Sequence, residues 1–137
     1  MGETVVYVKS FVIFQRRVLI LQRSDYCECC KDEWDIPGGT LEFGETLLEG
    51  LDREVKEETG LTIRADKLLY AISHVKNQTK QLVGLTYLSH ADTDEVTLSH
   101  EHTHYLWATK QQLKERLTIK TMNDYESNSV FNILDID

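Results

Sequence analysis

The feature that most constrains the fold is a helix whose two ends are both marked in the sequence. Thr46 and Glu49 form a capping box, in which each side chain accepts a hydrogen bond from the other residue's backbone N–H. Gly60 stands where a left-handed residue commonly stops a helix. The interval between them contains neither proline nor a run of β-branched residues. The sequence therefore predicts a helix over Thr46–Thr59.

Apolar residues line one side of this predicted helix. At 100° per residue, four apolar side chains fall within an arc of roughly 100°, namely Leu47, Leu48, Leu51 and Val55. The opposite side carries mixed charge, as expected of a solvated face, with Glu49, Asp52, Arg53 and Lys56. We expect the helix to pack on a core through the apolar stripe.

Three glutamates, Glu54, Glu57 and Glu58, share an arc of roughly 100° beside this stripe. The arc holds no lysine or arginine, although glutamates four residues apart repel and the last helical turn favours cations. Carboxylate oxygens clustered at the edge of a core are ligands that hard divalent cations prefer. The spacing predicts a Mg²⁺ site, with Mn²⁺ as the alternative ion, against the simpler interpretation of an acidic solvated face.

Strands are predicted on both sides of the helix. Segments rich in β-branched and aromatic residues predict them at Val5–Phe14, Val18–Leu21, Leu68–His74, Gln81–Leu88 and Tyr105–Ala108. The polar residues 15–17 are interpreted as a tight hairpin connection, and Pro37-Gly38-Gly39 as a sharp turn. Thr109 with Gln112 forms a second capping box that starts a short helix. A last amphipathic helix is predicted over Tyr125–Leu134.

Strands and helices that alternate through one core favour an α+β fold, here an α/β/α sandwich with a mixed β-sheet. The length of 137 residues suits one compact domain, and no repeat or linker divides the chain. We therefore expect a single domain over residues 1–137.

The charge of the chain limits its partners. There are 15 Lys and Arg residues against 23 Asp and Glu, a net charge of -8, which disfavours duplex nucleic acid as the main ligand. No apolar stretch approaches the ~20 residues of a membrane span, and the amino terminus lacks the pattern of a signal peptide. A cytoplasmic protein that does not bind a membrane is expected, and a homodimer is compatible with the sequence.

All three cysteines, Cys27, Cys29 and Cys30, fall in one short segment. An odd number of closely spaced cysteines does not form a disulfide framework, so reduced thiols are expected. Zinc binding is the alternative, although tetrahedral zinc needs a fourth ligand that the segment does not offer.

The run from Gly39 to Leu61 resembles the Nudix box at nine defined positions over 23 residues. The pattern is Gly, five residues, Glu, seven residues, and then Arg-Glu-apolar-any-Glu-Glu-any-Gly-apolar. The preceding Trp-Asp-Ile-Pro-Gly is also similar to the family's usual approach to the box. The resemblance implies a Nudix fold and a Mg²⁺-dependent pyrophosphohydrolase that acts on a small nucleotide substrate.

The resemblance also implies a role for each matching residue. The metal ligands would be Glu54, Glu57 and Glu58, together with the backbone carbonyl of Gly39. Arg53 and Glu45 would form an ion pair that orients the metal-binding glutamate. We hypothesise that Glu57 or Glu101 acts as base in the reaction, with Glu54 and Arg53 as further catalytic residues.

A further acid joins the site in many family members from a loop before a Trp-containing strand. Glu101 lies six residues before Trp107 and is our candidate for an extra metal ligand or base, the alternative being a solvated loop residue. His100, His102 and His104 alternate around it and would share one face of an extended segment. We expect solvated histidines beside a cleft, with a transition-metal site as the alternative.

Two residues are candidates for substrate binding. Arg23 follows a predicted strand and suits bidentate contact with a phosphate group, the alternative being a surface arginine. Asn128 resembles in its placement a base-reading asparagine of the enzymes that act on oxidised guanine nucleotides.

The substrate class is narrowed by signatures that the chain lacks. The chain has one proline, Pro37, so it lacks the downstream prolines typical of the ADP-ribose and NADH hydrolases of the family. No tyrosine lies near Gln78, where many diadenosine polyphosphate hydrolases of the family carry one. The expected substrate class is a nucleoside diphosphate linked to a further group, X. Within this class a nucleoside triphosphate, ordinary or oxidised, is the expected substrate. The alternatives are a nucleotide sugar, a dinucleoside polyphosphate, a non-catalytic nucleotide-sensing domain or an isomerase on the same fold.

Overall fold

A mixed β-sheet with helices on both faces forms the protein. The computed structural model describes residues 1–24 and 31–137. Its strands are β1 Glu3–Phe14, β2 Arg17–Arg23, β3 Trp34–Asp35, β4 Gly38–Thr40, β5 Ile63–Val75, β6 Lys80–Ala91 and β7 His102–Ala108. The helices are α1 Leu47–Thr59, α2 Lys110–Arg116 and α3 Ile119–Ser127, followed by a 3₁₀ turn at Val130–Asn132. The predicted fold class, α+β with a mixed sheet, is confirmed.

The sheet has the strand order β3-β2-β1-β6-β5, with β4 beside β1 and β7 beside β2. The central pair, β1 and β6, is parallel, and the other pairings are antiparallel. Alternate residues of β1 face opposite cores. Val8 and Val12 pack with the buried side chains of α1, whereas Phe11 and Ile13 pack with those of α2 and α3. One helical layer therefore covers each face of the sheet.

The predicted ends of α1 are confirmed. The backbone N–H of Glu49 donates to the Thr46 hydroxyl at 3.2 Å, and the Thr46 N–H donates to the Glu49 carboxylate at 3.1 Å. Gly60 ends the helix with a φ of 75°, a left-handed conformation that glycine adopts without a Cβ clash. Local sequence thus fixes where the acidic helix begins and ends.

One member of the predicted apolar stripe lies outside the core. Leu51 and Val55 are fully buried, but Leu48 is 47% exposed. Gly50, roughly 160° around the helix from Leu48, packs so tightly that a Cβ there would lie 2.5 Å from the Leu41 side chain. The first turns of α1 therefore direct Gly50 inward and Leu48 towards solvent.

The predicted strands are all present, but several are longer than their sequence pattern indicates. β5 begins at Ile63 rather than at Leu68. Its first part, residues 64–67, carries three charged side chains exposed on an edge strand that pairs only with β6, so it lacks the apolar pattern of a buried strand. β6 and β7 likewise extend beyond the predicted ranges. The hairpin at Gln15 and Arg16 is confirmed, with φ values of 47° and 64°, as a two-residue turn between twisted strands requires.

The prediction of a last helix over Tyr125–Leu134 is wrong in position. Helix α3 begins after Thr118, whose hydroxyl accepts a hydrogen bond from the Thr121 N–H at 3.1 Å, and it ends before Asn128. Ser129 adopts a left-handed φ of 58° and separates α3 from the 3₁₀ turn. The apolar spacing of two short elements was interpreted as one helix.

No helix in residues 1–24 or 31–137 is long and apolar enough to cross a membrane.

Candidate active site

Glu58 lies where the C-terminal half of α1 meets the turn before β4. Its Oε1 accepts a hydrogen bond from the Gly38 N–H at 2.8 Å, and its side chain is only 8% exposed. A Cβ on Gly38 would lie 2.2 Å from the Val8 carbonyl oxygen. Glycine is therefore required at this position for β4 to pair with β1 and to present its N–H to the helix.

Glu54 lies one turn earlier on α1 and packs directly on Gly39. A Cβ on Gly39 would lie 2.3 Å from Oε2 of Glu54, so the carboxylate occupies the space that a larger residue would fill. The Glu54 side chain is 16% exposed, whereas that of Glu57 is 59% exposed. The three predicted ligands thus differ in burial, with Glu57 the most open to solvent.

Arg53 connects the helix to the loop that precedes it. It donates from Nε and Nη2 to the two Glu45 carboxylate oxygens at 2.6 and 3.0 Å, which is the ion pair that the resemblance implies. Its Nη1 also donates to Glu54 at 3.0 Å and to Glu57 at 3.3 Å, and Nη2 donates to the Thr40 carbonyl at 3.1 Å. The acidic arc, which contains no lysine or arginine of its own, is therefore contacted by a cation from the neighbouring face of the helix.

Burial and neighbouring negative charges disfavour the ionised form of two carboxylates in the acidic site. Burial raises the pKa of Glu58 to about 8, and the charges of Glu54 and Glu101 add to this effect. Burial also raises the pKa of Glu54, although Arg53 opposes the shift. A bound cation would stabilise the ionised form of buried carboxylates that repel one another.

Glu101 is brought to α1 by the loop before β7. Its carbonyl accepts a hydrogen bond from the Ser24 N–H at 2.9 Å, and the negative charge of Glu101 contributes to the raised pKa of both Glu54 and Glu58. The structure thus places Glu101 near two of the predicted ligands.

The three histidines do not form one cluster. His100 and His104 are exposed, as expected, but the side chain of His102 is only 6% exposed, and its Nδ1 lies 3.9 Å from Oε2 of Glu58. The expectation of a solvated histidine is therefore wrong for His102. Burial and the nearby Arg23 lower the pKa of its imidazole. The predicted cysteine segment, residues 27–30, lies outside the described residues.

Arg23 is the last residue of β2 and stands opposite His102 in β7. Within residues 1–24 and 31–137, its Nε is a buried nitrogen without a hydrogen-bond partner, and its positive charge lowers the pKa of Glu58. A buried guanidinium nitrogen beside an acidic site suits an incoming anion such as a phosphate oxygen.

A cavity of about 770 Å³ opens between the sheet and α3. Its lining includes Tyr7, Lys9, Asp35, Tyr70, Tyr125 and Asn128. The Tyr125 hydroxyl donates to Asp35, and Lys9 donates to that hydroxyl from 3.0 Å. Asn128 lies in the wall, where its side-chain amide donates to the Asp124 carbonyl at 2.7 Å.

Sequence reasoning missed Lys9, Asp35 and Tyr125 as a group. Tyr125 is separated from Lys9 by 116 residues and from Asp35 by 90 residues, so no local spacing could bring them together. The only signal was the position of Asp35 in the Trp-Asp-Ile-Pro-Gly segment.

The residues fit a hard divalent cation in chemistry, but they are not preorganised around one point. No group of three or more His, Cys, Asp or Glu side chains among the described residues is arranged to hold a metal ion. Arg53 engages Glu54 and Glu57, while the Gly38 N–H engages Glu58. The carboxylate donors and the close approach of Glu54 to Gly39 nevertheless suit Mg²⁺.

The raised pKa of Glu58 gives a testable dependence of stability on pH. Between about 4.5, the ordinary value, and about 8, the folded protein keeps a proton that the unfolded chain has released. Without added metal, the free energy of unfolding should therefore fall as pH rises through this window, and level off above it. The slope should approach at most about 1.4 kcal/mol per pH unit, the value for one proton.

Chemical denaturation at several pH values measures this slope. Glu58→Gln should remove the contribution, whereas Glu126→Gln on the exposed side of α3 is the matched control. An unchanged slope in Glu58→Gln would show that Glu58 ionises normally in the folded protein.

The family of the chain follows from comparison with known proteins. The NUDIX domain model matches residues 6–127, which include the site described above. The chain belongs to this family.

Similar proteins and structures agree with the assignment. A MutT-like protein from Streptomyces ambofaciens is 34% identical over 101 residues, which cover 74% of this chain and 60% of that protein. The 8-oxo-dGDP phosphatase NUDT18 of Homo sapiens is 41% identical over 64 residues, which cover 47% of this chain and 19% of that protein. These alignments thus span less than two thirds of either relative.

The fold extends over almost the whole of a solved relative. The crystal structure of the MutT protein from Methanosarcina mazei Go1 matches with a TM-score of 0.80 at 25% identity, covering 96% of this chain and 97% of that one. A MutT NUDIX hydrolase from Burkholderia pseudomallei gives a TM-score of 0.74 at 26% identity, covering 91% and 98%.

Proposed function

We propose that this protein is a Mg²⁺-dependent pyrophosphohydrolase that cleaves a phosphoanhydride bond of a nucleoside diphosphate linked to X. A nucleoside triphosphate, ordinary or oxidised, is the proposed substrate. The observation that carries this proposal is the set of box carboxylates on α1, packed against Gly38 and Gly39 of β4. A cavity of nucleoside size on the α3 side of the sheet supports it. Mg²⁺ on these carboxylates and the Gly39 carbonyl would neutralise the phosphate oxygens and acidify a bound water.

The size of the cavity favours one nucleoside. Its volume of about 770 Å³ lies within the range of about 300–1,000 Å³ that small-ligand pockets occupy. A dinucleoside polyphosphate would need a second site of similar size. A mononucleotide with a phosphate chain is therefore the better fit.

The cavity and the carboxylates are joined through β1 and β4. Lys9 lines the cavity and is the register partner of Gly38, and the N–H of Gly38 holds Glu58. The cavity lies on the α3 side of the sheet and α1 on the other side, so we infer that the phosphates of a bound nucleoside extend past β4 to reach the carboxylates.

Different residues of the site have different roles in the proposed hydrolysis. Glu57, with Glu101 as the alternative, accepts a proton from the attacking water, whose oxygen forms a bond to phosphorus. The bridging P–O bond breaks, and the leaving pyrophosphate keeps the bridging oxygen, so that a triphosphate gives a nucleoside monophosphate and pyrophosphate. Arg53 keeps Glu54 oriented, and Arg23 donates to a phosphate oxygen.

The polar groups of the cavity suit the edge of a base. Lys9 offers N–H donors and Asp35 offers carboxylate oxygens, and the buried Tyr125 hydroxyl bonded to both keeps them in place. The rings of Tyr7 and Tyr70 add aromatic surface for a planar ligand. Because NUDT18 is an 8-oxo-dGDP phosphatase by name, oxidised guanine nucleotides belong among the first substrates to test.

A panel of nucleotides tests the substrate class. Nucleoside triphosphates, 8-oxo-dGTP, 8-oxo-dGDP, nucleotide sugars and dinucleoside polyphosphates are incubated with Mg²⁺ or Mn²⁺, and the products are separated by ion-exchange chromatography. The triphosphates should give the highest kcat/KM. Preferential cleavage of a nucleotide sugar or a dinucleoside polyphosphate would contradict the proposed class.

Asn128 provides a test of the cavity itself. Asn128→Ala should raise KM about five- to tenfold with little change in kcat, because a typical hydrogen bond contributes about 1 kcal/mol. Asn123→Ala is the matched control, since Asn123 is an exposed asparagine of α3, the helix that ends just before Asn128. Equal kinetics for the two variants would remove Asn128 from the binding site.

A further inference from the structure

His102 is a buried imidazole that the proposed reaction does not use. Its side chain is 6% exposed, and its Nδ1 lies 3.9 Å from Oε2 of Glu58, whose side chain is 8% exposed. Among the described residues, Nδ1 has no hydrogen-bond partner. A buried polar nitrogen without a partner is unfavourable, so the position of Nδ1 facing the Glu58 carboxylate indicates an interaction between the two groups.

Backbone hydrogen bonds hold His102 beside α1. The Thr97 N–H donates to the Thr59 carbonyl at 2.9 Å, and the Ser99 N–H donates to the Glu58 carbonyl at 3.3 Å. The His102 N–H then donates to the Ser99 carbonyl at 3.3 Å. The loop that carries His102 is thus attached to the end of the acidic helix, and the position of the imidazole does not depend on a long flexible side chain.

Glu58 already has one fixed oxygen. Its Oε1 accepts from the Gly38 N–H at 2.8 Å, so the carboxylate can still rotate about this contact until the second oxygen is also held. We infer that His102 is a positioning residue that donates its Nδ1–H to Oε2 and so fixes the carboxylate plane of Glu58. A movement of about 1 Å brings the pair to hydrogen-bond distance.

A competing arrangement pairs the imidazole with Arg23. Nε of Arg23 is the second buried nitrogen without a partner in the described part of the chain, and Arg23 stands opposite His102 in the sheet. If Arg23 donated to Nδ1, the imidazole proton would lie on Nε2 and Glu58 would not be positioned. The two arrangements therefore differ in the tautomer of His102.

Nitrogen NMR of the metal-free wild-type protein, labelled with ¹⁵N-histidine and measured above about pH 8, where the Glu58 carboxylate is ionised, distinguishes the tautomers. The inference expects a proton on Nδ1 of His102 and a shift of that resonance in Glu58→Gln. An unprotonated Nδ1, or a resonance that Glu58→Gln leaves unchanged, would overturn it. This measurement uses the wild-type fold and does not depend on any activity.

A pair of variants of similar size tests the effect on metal binding. His102→Asn keeps a donor near the position of Nδ1, whereas His102→Leu fills the space without one. With Mn²⁺ as the probe and electron paramagnetic resonance as the readout, His102→Leu should weaken binding about 10–100-fold, and His102→Asn should restore most of the loss. Equal Mn²⁺ affinity in the two variants would overturn the inference, provided that thermal melts show both to be folded.

The inference rests on the proposed function for its consequence in catalysis, because the orientation of Glu58 affects turnover only if the box binds metal for hydrolysis. Failure of the two can be told apart. If the Mn²⁺ affinities differ as expected but no nucleotide is cleaved, the positioning role stands and the proposed function fails. If nucleotides are cleaved while both variants bind Mn²⁺ like the wild type, the positioning role fails alone.

Discussion

Glu57→Gln should lower kcat about 10²–10⁴-fold while leaving the fold intact, the range expected when a general base or a metal-binding carboxylate loses its charge. The side chain of Glu57 is 59% exposed, and its one described partner is Arg53, at 3.3 and 3.4 Å. Glutamine has the same length and volume, so little packing is lost. The effect should therefore appear in turnover rather than in melting temperature.

The control for Glu57→Gln is Asp52→Asn. Asp52 is an exposed carboxylate on the same helix that lies away from the acidic arc, so this variant removes one negative charge without touching the site. Steady-state kinetics of both variants with Mg²⁺ should show a large loss for Glu57→Gln and near wild-type rates for Asp52→Asn. Comparable rates for the two would place Glu57 outside the chemistry.

Arg53→Lys should reduce kcat/KM about 10–100-fold, the range found when residues that orient metal ligands are changed. The planar guanidinium donates to both oxygens of Glu45 and at the same time to Glu54 and the Thr40 carbonyl. Lysine keeps the charge, but one ammonium group cannot reproduce this set of contacts. The loss should therefore follow the geometry of the contacts rather than the charge.

Glu45→Gln tests the same contact from the other side. If Arg53 acts through the loop that Glu45 anchors, the double variant Arg53→Lys with Glu45→Gln should lose little more activity than either single variant. Losses that multiply would instead show that the two residues act independently, and would contradict the role of the ion pair in orienting Glu54.

Features set by local sequence were the most predictable. The ends of α1 follow from Thr46, Glu49 and Gly60, all within one segment. The sharp turn predicted at Pro37-Gly38-Gly39 is confined to a bend at Pro37, because Gly38 and Gly39 already belong to β4 and pair with β1. Hydrogen bonds between near neighbours decide such features, so the residue types alone carry the information. The position of the acidic face on the helix could therefore be predicted without knowledge of the rest of the fold.

Features set by tertiary contacts were less predictable. The burial of Glu58 and the outward position of Leu48 depend on how α1 sits against β4 and Leu41. The burial of His102 depends on the loop attached to the end of that helix. Helical angles place side chains on a face, but they do not say which face the sheet will cover.

The interpretation of α3 failed for a different reason. Apolar residues recur from Tyr125 to Leu134 at intervals that suit one helix, but Ser129 adopts a left-handed backbone conformation that a right-handed helix does not continue through. The cap at Thr118 lacks the glutamate or glutamine that marks the other two capping boxes, so the sequence does not signal the start of this helix. Single-residue conformations of this kind leave little trace in a hydrophobic pattern.

The most direct test of the account is whether the wild-type protein forms a nucleoside monophosphate and pyrophosphate from a nucleoside triphosphate in a metal-dependent reaction. The proposed function expects both products with Mg²⁺, none with a chelator, and recovery when Mg²⁺ is returned in excess. Binding of the same nucleotide by calorimetry, with no cleavage in either Mg²⁺ or Mn²⁺, would contradict it and indicate a nucleotide-sensing domain instead.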